Sequence, residues 1–411
     1  MRAAITLRRQ GMLDEMKRSN LRGRGGAGFA TAVKWEGCRN GPGAERYIVC
    51  NADEGEPGTF KDRVLLTSFA ERVFEGMAIA GFTVGAAHGL LYLRGEYRYL
   101  LEPLKAKLES MRRVQHLGVS ISGAQGFDFD IEIHVGAGAY ICGEESALIE
   151  SLEGKPGKPR IRPPFPMAVG YLGKPTVVNN VETLAEATVV ALQGGPIFAG
   201  HGTRHSAGTK ILSVLGDCAR PGIYEYPFGV RVEQALRDCG ASDVAAVQIS
   251  GPSGVCLTPD EFRRPIAFED VPTPGAFTIF GKERDLFEVA RNFAHFFANE
   301  SCGFCTPCHV GTTLMRDALD KIADGRGSLY EINELMRLAD CCAGPAIAAS
   351  ARRPATRCAT PGSNSARPTS GVSSAAISIP RSISTRRSIR RARSLAVTTR
   401  SRISEPKREG V

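Results

Sequence analysis

The sequence predicts an α/β protein with three folded units and a C-terminal tail that does not fold. Apolar strand-like runs alternate with helical runs up to about residue 195, which is typical of α/β layers around a largely parallel sheet. Short β-like pieces then indicate a small α+β unit, and consecutive helical patterns indicate a helical unit. The predicted units span residues 1–203, 204–284 and 285–340, and the tail spans residues 341–411.

Each unit is predicted from the order of its runs. In the first unit we expect helices at 11–20, 64–87 and 144–152, and strands at 47–50, 90–93 and 128–134. In the second unit we expect strands at 210–215, 246–250 and 276–280 around a helix at 232–238. In the third unit we expect helices at 286–299, 310–323 and 329–338.

The tail differs from the rest of the chain in composition and charge. After Asp340, apolar periodicity stops, so the segment cannot bury enough apolar surface to offset its ordering entropy, and we expect disorder. Residues 341–411 contain 14 Lys and Arg against 2 Asp and Glu, whereas residues 1–340 carry a net charge of −3. The overall charge of +9 therefore belongs to the tail and does not indicate a nucleic-acid-binding protein.

No stretch has the length and apolarity of a membrane span. The most apolar window, residues 74–93, contains Glu75 and His88, and the first residues lack the pattern of a secretory signal. We therefore expect a cytoplasmic protein, in which clustered cysteines hold metal or serve redox chemistry more often than they form disulfides.

Three cysteines, Cys302, Cys305 and Cys308, form two successive C-x-x-C spacings. This spacing brings three thiolates to one turn and leaves a fourth position to a distant residue, which is the arrangement that a [4Fe–4S] cluster requires. Zinc is the alternative, with the adjacent His309 as a fourth donor. The compact run favours iron–sulfur ligation.

Glycines and polar residues form the other candidate sites. The loop at 23–28 resembles a phosphate-binding loop, because its missing side chains let backbone N–H groups approach an anion; a solvated loop is the alternative. An acidic loop at 51–56 follows a strand, at the edge where open α/β sheets bind ligands, although an ordinary turn would explain it. Glu144 and Glu145 stand at the start of a predicted helix and are candidate site residues, although helix capping alone would explain acidic residues at this position. The paired side-chain amides of Asn179 and Asn180 suit a flat heteroaromatic ring that has donors and acceptors on its edge, and a turn is the alternative.

Five motifs occur together at residues 21–29 (LRGRGGAGF), 50–62 (CNADEGEPGTFKD), 143–148 (GEESAL), 178–183 (VNNVET) and 300–308 (ESCGFCTPC). In this order they resemble the NADH-binding flavoprotein subunit of respiratory complex I, a module shared with NAD-reducing hydrogenases and NAD-linked formate dehydrogenases. The resemblance spans residues 11–340. It implies a Rossmann-like flavin domain, a ubiquitin-like domain and a helical iron–sulfur domain.

The resemblance also implies FMN, one [4Fe–4S] cluster and NADH as substrate. The flavin phosphate and ribityl chain would lie against Gly23, Arg24, Gly25, Gly26 and Lys34, with Asn51, Asp53 and Glu54 nearby. Tyr140, Gly143, Glu144, Val178, Asn179, Asn180 and Thr183 would line the rest of the flavin site. NADH would contact Phe29, Glu56 and Glu145, and Arg162 stands where some relatives have Lys. Because hydride transfer to a flavin needs no general acid or base, these are positioning residues.

The same resemblance implies partners. They are other subunits of an electron-transfer complex, including a thioredoxin-like [2Fe–2S] subunit, with quinone as final acceptor in complex I and membrane contact only through partners. A diaphorase role in a soluble hydrogenase or formate dehydrogenase is the alternative. A zinc-binding scaffold without catalysis is an alternative of another class.

The tail departs from the pattern of the family. A Ser-His-Cys-Gly-Leu-Gly motif, whose cysteine is the fourth cluster ligand, should follow the third helix, but Cys341 and Cys342 lead into an unrelated sequence. Reading the codons in a shifted frame recovers this motif, with its cysteine at the position of Ala348. We therefore interpret the residues after about Asp340 as a frameshift product. In the frame as written, Cys341, Cys342 or Cys358 would have to supply the fourth ligand.

Overall fold

The computed structural model describes the backbone of residues 1–343 and the side chains of residues 1–339. A four-stranded parallel sheet forms the centre of the first unit, as the sequence predicts. Its strands are β1 (Tyr47–Ala52), β2 (His88–Leu93), β3 (Asp130–Val135) and β4 (Thr176–Asn180). The helices around it are α1 (Arg2–Ser19), α2 (Thr31–Arg39), α3 (Lys61–Ser68), α4 (Ala70–Val84), α5 (Leu101–Arg113), α6 (Glu145–Leu152), α7 (Val181–Gln193) and α8 (Gly195–Ala199).

The order of the strands in this sheet is β3-β2-β1-β4. The chain therefore adds β2 and β3 on one side of β1 and then returns to add β4 on the other side. In open α/β sheets, ligands bind outside the carboxyl ends of the strands where the winding reverses in this way. The fold thus predicts a binding crevice between β1 and β4.

The apolar core of this unit lies between the sheet and its helices. Trp35, Phe74 and Met77 have no exposed surface. Helices α4 and α7 approach closely at Gly76, where a Cβ would lie 2.1 Å from the carbonyl oxygen of Leu184. This close packing fixes the position of α7, whose first turn belongs to the candidate site.

The second unit is a five-stranded mixed sheet with one helix, α9 (Val232–Asp238). Its strands are β5 (Thr209–Gly216), β6 (Gly222–Pro227), β7 (Val244–Ile249), β8 (Val255–Leu257) and β9 (Ala276–Gly281), in the order β6-β5-β9-β7-β8. Leu212, Val232 and Phe277 are fully buried between the sheet and α9. The third unit consists of α10 (Leu286–Glu300), α11 (Thr306–Ala323) and α12 (Leu329–Ala343), which pack around Phe297, Met315 and Leu319.

Several elements differ from the sequence predictions. The helix predicted at 64–87 is two helices, α3 and α4, separated at Phe69, whose φ of −135° is not helical. The helix predicted at 144–152 begins at Glu145, and a short 3-10 turn at Tyr140–Gly143 precedes it. Helix α12 continues through residues 341–343, which the sequence pattern assigns to the disordered tail. The remainder of that predicted tail, residues 344–411, lies outside the described residues.

Candidate functional site

The carboxyl ends of the parallel strands bring the predicted polar loops together. Asn51 of β1 pairs in register with Asn180 of β4, at the point where the winding reverses. The acidic loop continues from Asn51, and a further loop follows β3 and leads to α6. The side-chain amide of Asn51 donates to the carbonyl of Gly143 in this second loop at 2.9 Å. Residues that lie far apart in sequence therefore share one edge of the sheet.

The glycine loop covers the N-terminus of α7. It is closed by a hydrogen bond from the Gly23 N–H to the carbonyl of Phe29 at 2.8 Å. The N–H of Arg24 donates to Oγ1 of Thr183 at 2.8 Å, which fixes the loop against the first turn of α7. A Cβ on Gly25 would lie 3.2 Å from Cβ of Asn180, so this glycine allows the close approach. A glycine loop held against a helix N-terminus is an arrangement that favours binding of an anion.

The side chain of Arg24 points away from this edge. Its guanidinium is fully buried, donates to the carbonyl of Ala207 at 2.8 Å and stacks on the ring of Phe228. Burial lowers the pKa of Arg24, although Glu182 and Glu186 oppose this effect. Arg24 therefore ties the glycine loop to the second unit, and its backbone is the part that faces the site.

The amide of Asn180 is held by two charged neighbours. Its Nδ2 donates to Oδ2 of Asp62 at 2.6 Å, and its Oδ1 accepts from the Lys61 ammonium at 3.1 Å. Oδ1 also accepts from the N–H of Glu182 at 3.0 Å, so Asn180 caps α7. One N–H of the Asn180 amide is left for a ligand. Its neighbour Asn179 accepts from the indole of Trp35 at 2.8 Å.

Two buried ammonium groups share one carboxylate behind this cap. Glu182 accepts from Lys61 at 2.9 Å and from Lys210 of β5, and it also accepts from the N–H of Ile211 at 3.0 Å. All three charged side chains are 1% exposed. Burial alone would raise the pKa of Glu182, but Lys210 and Lys61 lower it to about 2. Glu182 is therefore ionised at neutral pH.

Asp53 and Glu54 are buried carboxyls with different surroundings. Glu54 accepts from the N–H groups of Asp62 and Arg63 and from the hydroxyl of Tyr97, so it caps α3. Asp53 is 7% exposed, and its Oδ2 has no hydrogen-bond partner within the described residues. Burial raises the pKa of both carboxyls to about 7. An unpaired, buried acid oxygen at this edge is a candidate ligand contact.

A second group of charges lies at the start of α6. Lys34 donates to Glu145 at 2.7 Å and to the carbonyl of Val178 at 2.9 Å. The guanidinium of Arg162 lies 3.2 Å from Glu144 and 3.5 Å from Glu145, while Glu144 caps α6. The Arg162 side chain is 4% exposed, yet its Nε and Nη2 have no partner within the described part of the chain. This guanidinium can therefore donate to an anionic ligand.

Glu56 and Tyr140 connect this edge to the third unit. The hydroxyl of Tyr140 donates to Glu56, which also accepts from the N–H of Ser253 in the second unit at 3.0 Å. Burial raises the pKa of Glu56, and these donors oppose the rise. The N–H of Tyr140 donates to Glu300, at the end of α10, at 3.1 Å. Cys302 follows two residues later.

The three cysteines lie where α10 leads into α11. Cys305 precedes the first residue of α11, and all three thiols are half-buried. Burial raises the pKa of the Cys308 thiol, and the nearby Cys305 and Cys302 thiols add to the rise. Within the described residues, no three metal-ligand side chains stand in an arrangement that would hold a metal ion. The thiols are thus neighbours at the start of α11.

Several residues hold the predicted site residues in place, but the sequence pattern does not indicate this role. Lys61, Asp62 and Glu182 lie within the recognised motifs, but nothing in their local pattern indicates a buried ion pair. Lys210 and Ser253 come from the second unit, outside every motif.

Two further predicted residues lie at the same edge. Phe29 lies with its ring 6.0 Å from the Lys34 ammonium. Gly26 has a φ of +120°, a backbone conformation that favours glycine. The glycine loop therefore depends on glycine at this position for its shape.

Two protein-family models match the chain. The model described as the Nuo51 FMN-binding domain matches residues 16–189. The model described as the NADH-ubiquinone oxidoreductase-F iron-sulfur binding region matches residues 288–358. The second match therefore extends past residue 340, where the resemblance seen in the motifs ends.

Relatives from hydrogenases and from NADH-quinone oxidoreductases are similar to this chain. The NAD-reducing hydrogenase HoxS subunit alpha of Cupriavidus necator is 50% identical over 333 residues, which cover 81% of this chain and 55% of that protein. An NADH-quinone oxidoreductase subunit of Aquifex aeolicus is 39% identical over 330 residues, covering 79% of this chain and 77% of that protein. A crystal structure of NAD+-reducing [NiFe]-hydrogenase in the H2-reduced state superposes with a TM-score of 0.79 and 47% identity, covering 82% of this chain and 58% of that one.

The chain thus spans little more than half the length of the hydrogenase relatives that it matches. Among the described residues, no helix combines the length and the apolarity needed to cross a bilayer.

Proposed function

Because the chain belongs to the family of NADH-ubiquinone oxidoreductase-F and the related subunits of NAD-reducing hydrogenases, we propose that it is the NADH-oxidising flavoprotein of a multi-subunit complex. It would bind FMN and one [4Fe–4S] cluster and exchange electrons between NADH and partner subunits. The observation that carries this proposal is the meeting of the glycine loop, the α7 N-terminus and the acidic loop at the reversal point between β1 and β4.

The residues at this edge fit FMN. The glycine loop, which is fixed against the first turn of α7, suits a phosphate, and Asn180 has one N–H left for a ligand among the described residues. Asp53 offers a buried acid oxygen without a partner among the described residues. At the α6 side, the Nε and Nη2 donors of Arg162 suit the phosphates of NADH.

The cysteine run fits an iron–sulfur cluster in the chemistry of its donors. Cys302, Cys305 and Cys308, between the end of α10 and the first turn of α11, would supply three soft thiolate ligands, which is the donor type that such clusters require. The fourth ligand would come from beyond the described side chains.

The residues of this edge would hold FMN, which would supply hydride acceptance from NADH and one-electron transfer, and the chain's own part would be position and electrostatics. Lys34 pairs with Glu145 and Arg162 pairs with Glu144 where the nucleotide would lie. Glu56 is oriented by Tyr140 and Ser253, so it can accept from an amide N–H of the nicotinamide. The contact of Tyr140 with Glu300 holds α10, and therefore the cysteine run, near the carboxyl ends of the strands where the flavin would lie.

A second candidate is the diaphorase part of an NAD-reducing hydrogenase. The identity of 50% to the HoxS subunit alpha, against 39% to the Aquifex aeolicus protein, favours this role over a role in complex I. Purification of the tagged chain from cells that encode it separates the two. A co-purifying nickel–iron subunit supports the hydrogenase role, and co-purifying quinone-reducing activity supports complex I.

Reconstitution tests the proposed cofactors. The full chain is incubated without oxygen with FMN, iron and sulfide, then desalted, and its flavin, iron and zinc contents are measured. We expect bound FMN together with iron and acid-labile sulfide. Stoichiometric zinc without flavin would contradict the proposal and support a scaffold.

A further inference from the structure

Two cysteines of the second unit lie side by side, outside every motif recognised in the sequence. Cys218 follows β5, in the loop that leads to β6, and Cys239 is the residue at which α9 ends. Cys239 is fully buried in the apolar core of this unit, and Cys218 packs against that core from a partly exposed position. One thiol of the pair is therefore open to reagents, and the other is enclosed.

Hydrogen bonds hold the two segments in contact. The N–H of Arg220 donates to the carbonyl of Cys239 at 2.9 Å, and the N–H of Ala219 donates to the carbonyl of Gly240 at 3.3 Å. A Cβ on Gly240 would lie 3.1 Å from Cβ of Ala219, so the two backbones approach closely here. The guanidinium of Arg220 also donates to the carbonyl of Asp238 at 2.7 Å. The loop after β5 is thus fixed against the end of α9 on both sides of Cys239.

The two thiols interact directly. The Cys218 side chain hydrogen-bonds with that of Cys239, whose S–H also donates to the carbonyl of Leu236 at 3.3 Å. Burial raises the pKa of Cys239 to about 11, and the Cys218 thiol adds to the rise. Cys239 therefore stays protonated at neutral pH, and Cys218 is the thiol that a reagent meets first. Thiols in contact on segments that are already hydrogen-bonded to each other need little movement to form a disulfide.

We propose that Cys218 and Cys239 form a reversible dithiol–disulfide pair, a modification site separate from the cysteine run at the start of α11. The oxidant is a low-molecular-weight disulfide. The Cys218 thiolate attacks one of its sulfurs, forms a mixed disulfide and releases one small thiol, and the Cys239 thiolate then attacks the Cys218 sulfur and releases the second.

This exchange balances without a further reactant. Two thiols of the chain are oxidised to one disulfide, the small disulfide is reduced to two thiols, and the two cysteine protons pass to the released thiols. The new bond would tie the loop after β5 to the end of α9. The inference goes beyond the proposed function, because it requires neither FMN nor NADH.

Peptide mapping of the full chain tests the pair. The chain is reduced, desalted without oxygen, exposed to oxidised glutathione at pH 8, blocked with iodoacetamide and digested with trypsin. We expect a disulfide between Cys218 and Cys239 in more than about half of the molecules, and its loss after treatment with dithiothreitol. Trypsin leaves Cys239 and Cys256 in one peptide, so fragmentation in the mass spectrometer assigns the bond.

Two variants separate this pair from unspecific oxidation. Cys218→Ser should lose the cross-link and leave Cys239 as a free thiol, because Cys239 is buried. Cys256→Ser, at a half-buried cysteine of β8, is the matched control and should form the cross-link like the wild type.

The wild-type chain alone decides the inference, so the test holds even if a variant does not fold. Glutathione that remains on Cys218 while Cys239 stays free would overturn the inference, as would a chain in which both thiols stay free. A disulfide from Cys218 to any other cysteine would overturn it as well.

Discussion

The hydroxyl of Tyr140 donates a 2.6 Å hydrogen bond to Oε2 of Glu56. The same residue packs its ring edge-on against Phe296 of α10, with centroids 5.1 Å apart, and its N–H bonds to Glu300. One residue therefore contacts both the acidic loop that follows β1 and the helix that leads to the cysteines. Movement of α10 would disturb Glu56, and loss of Glu56 would loosen α10.

Tyr140→Phe tests this connection. The variant keeps the ring but leaves the buried Glu56 carboxyl without one donor, so the free energy of unfolding should fall by about 2 kcal/mol. Thermal melting of the full chain measures the change. Tyr99→Phe, at a tyrosine that is 60% exposed, should melt like the wild type. Equal melting of the Tyr140 variant and the wild type would show that this hydrogen bond does not hold the units together.

Asp53 should make stability depend on pH. Burial raises its pKa from 3.8 to about 7, with Arg94 opposing the rise. Between these values the folded chain keeps a proton that the unfolded chain has lost, so the free energy of unfolding falls as pH rises through this window. In Asp53→Asn this contribution is absent.

Denaturant unfolding at pH 5, 6, 7 and 8 measures the effect. The free energy of unfolding of Asp53→Asn minus that of the wild type should rise by about 1.4 kcal/mol for each pH unit up to pH 7 and stay constant above it. Asp128→Asn, at an exposed aspartate, is the control and should follow the wild type. A difference that stays constant with pH would contradict a raised pKa for Asp53.

Cys308→Ser should abolish the cluster and spare the flavin. Removal of one of three neighbouring thiolates is expected to lower iron and sulfide content after reconstitution by at least about tenfold, with FMN content unchanged. Cys256→Ser, at a half-buried cysteine of β8, should retain its iron. Iron retained by the Cys308 variant would exclude this cysteine as a ligand.

Resequencing of the gene tests the interpretation of the tail. We expect a one-base difference near the codon for Asp340, which restores the frame that encodes Ser-His-Cys-Gly-Leu-Gly. A C-terminal peptide from the Arg-rich tail, found by mass spectrometry together with a single intact frame, would show that the sequence as written is made. In that case Cys341, Cys342 and Cys358 become the candidates for the fourth ligand.

The sequence allowed prediction of those features that depend on local pattern. The parallel sheet, the small α+β unit and the helical unit follow from periodicity, and the family and its cofactors follow from motifs such as the run at Cys302. Strand β4 and helix α7 are absent from the predicted elements. Two asparagines interrupt the apolar run of β4, and α7 is buried around much of its circumference, so its pattern has little polar contrast. The hydrogen bond between Asn180 and Asp62 and the ion pair of Glu182 with Lys210 join distant segments. Such contacts arise from tertiary packing, which no local pattern reports.

The anaerobic absorbance spectrum of the reconstituted full chain, recorded before and after addition of NADH, tests the central claim most directly. If nicotinamide and flavin meet at the edge formed by Asn51 and Asn180, NADH should bleach the flavin band and then the iron–sulfur absorbance within one titration. A chain that holds FMN and iron but keeps an unchanged spectrum in excess NADH would contradict the account.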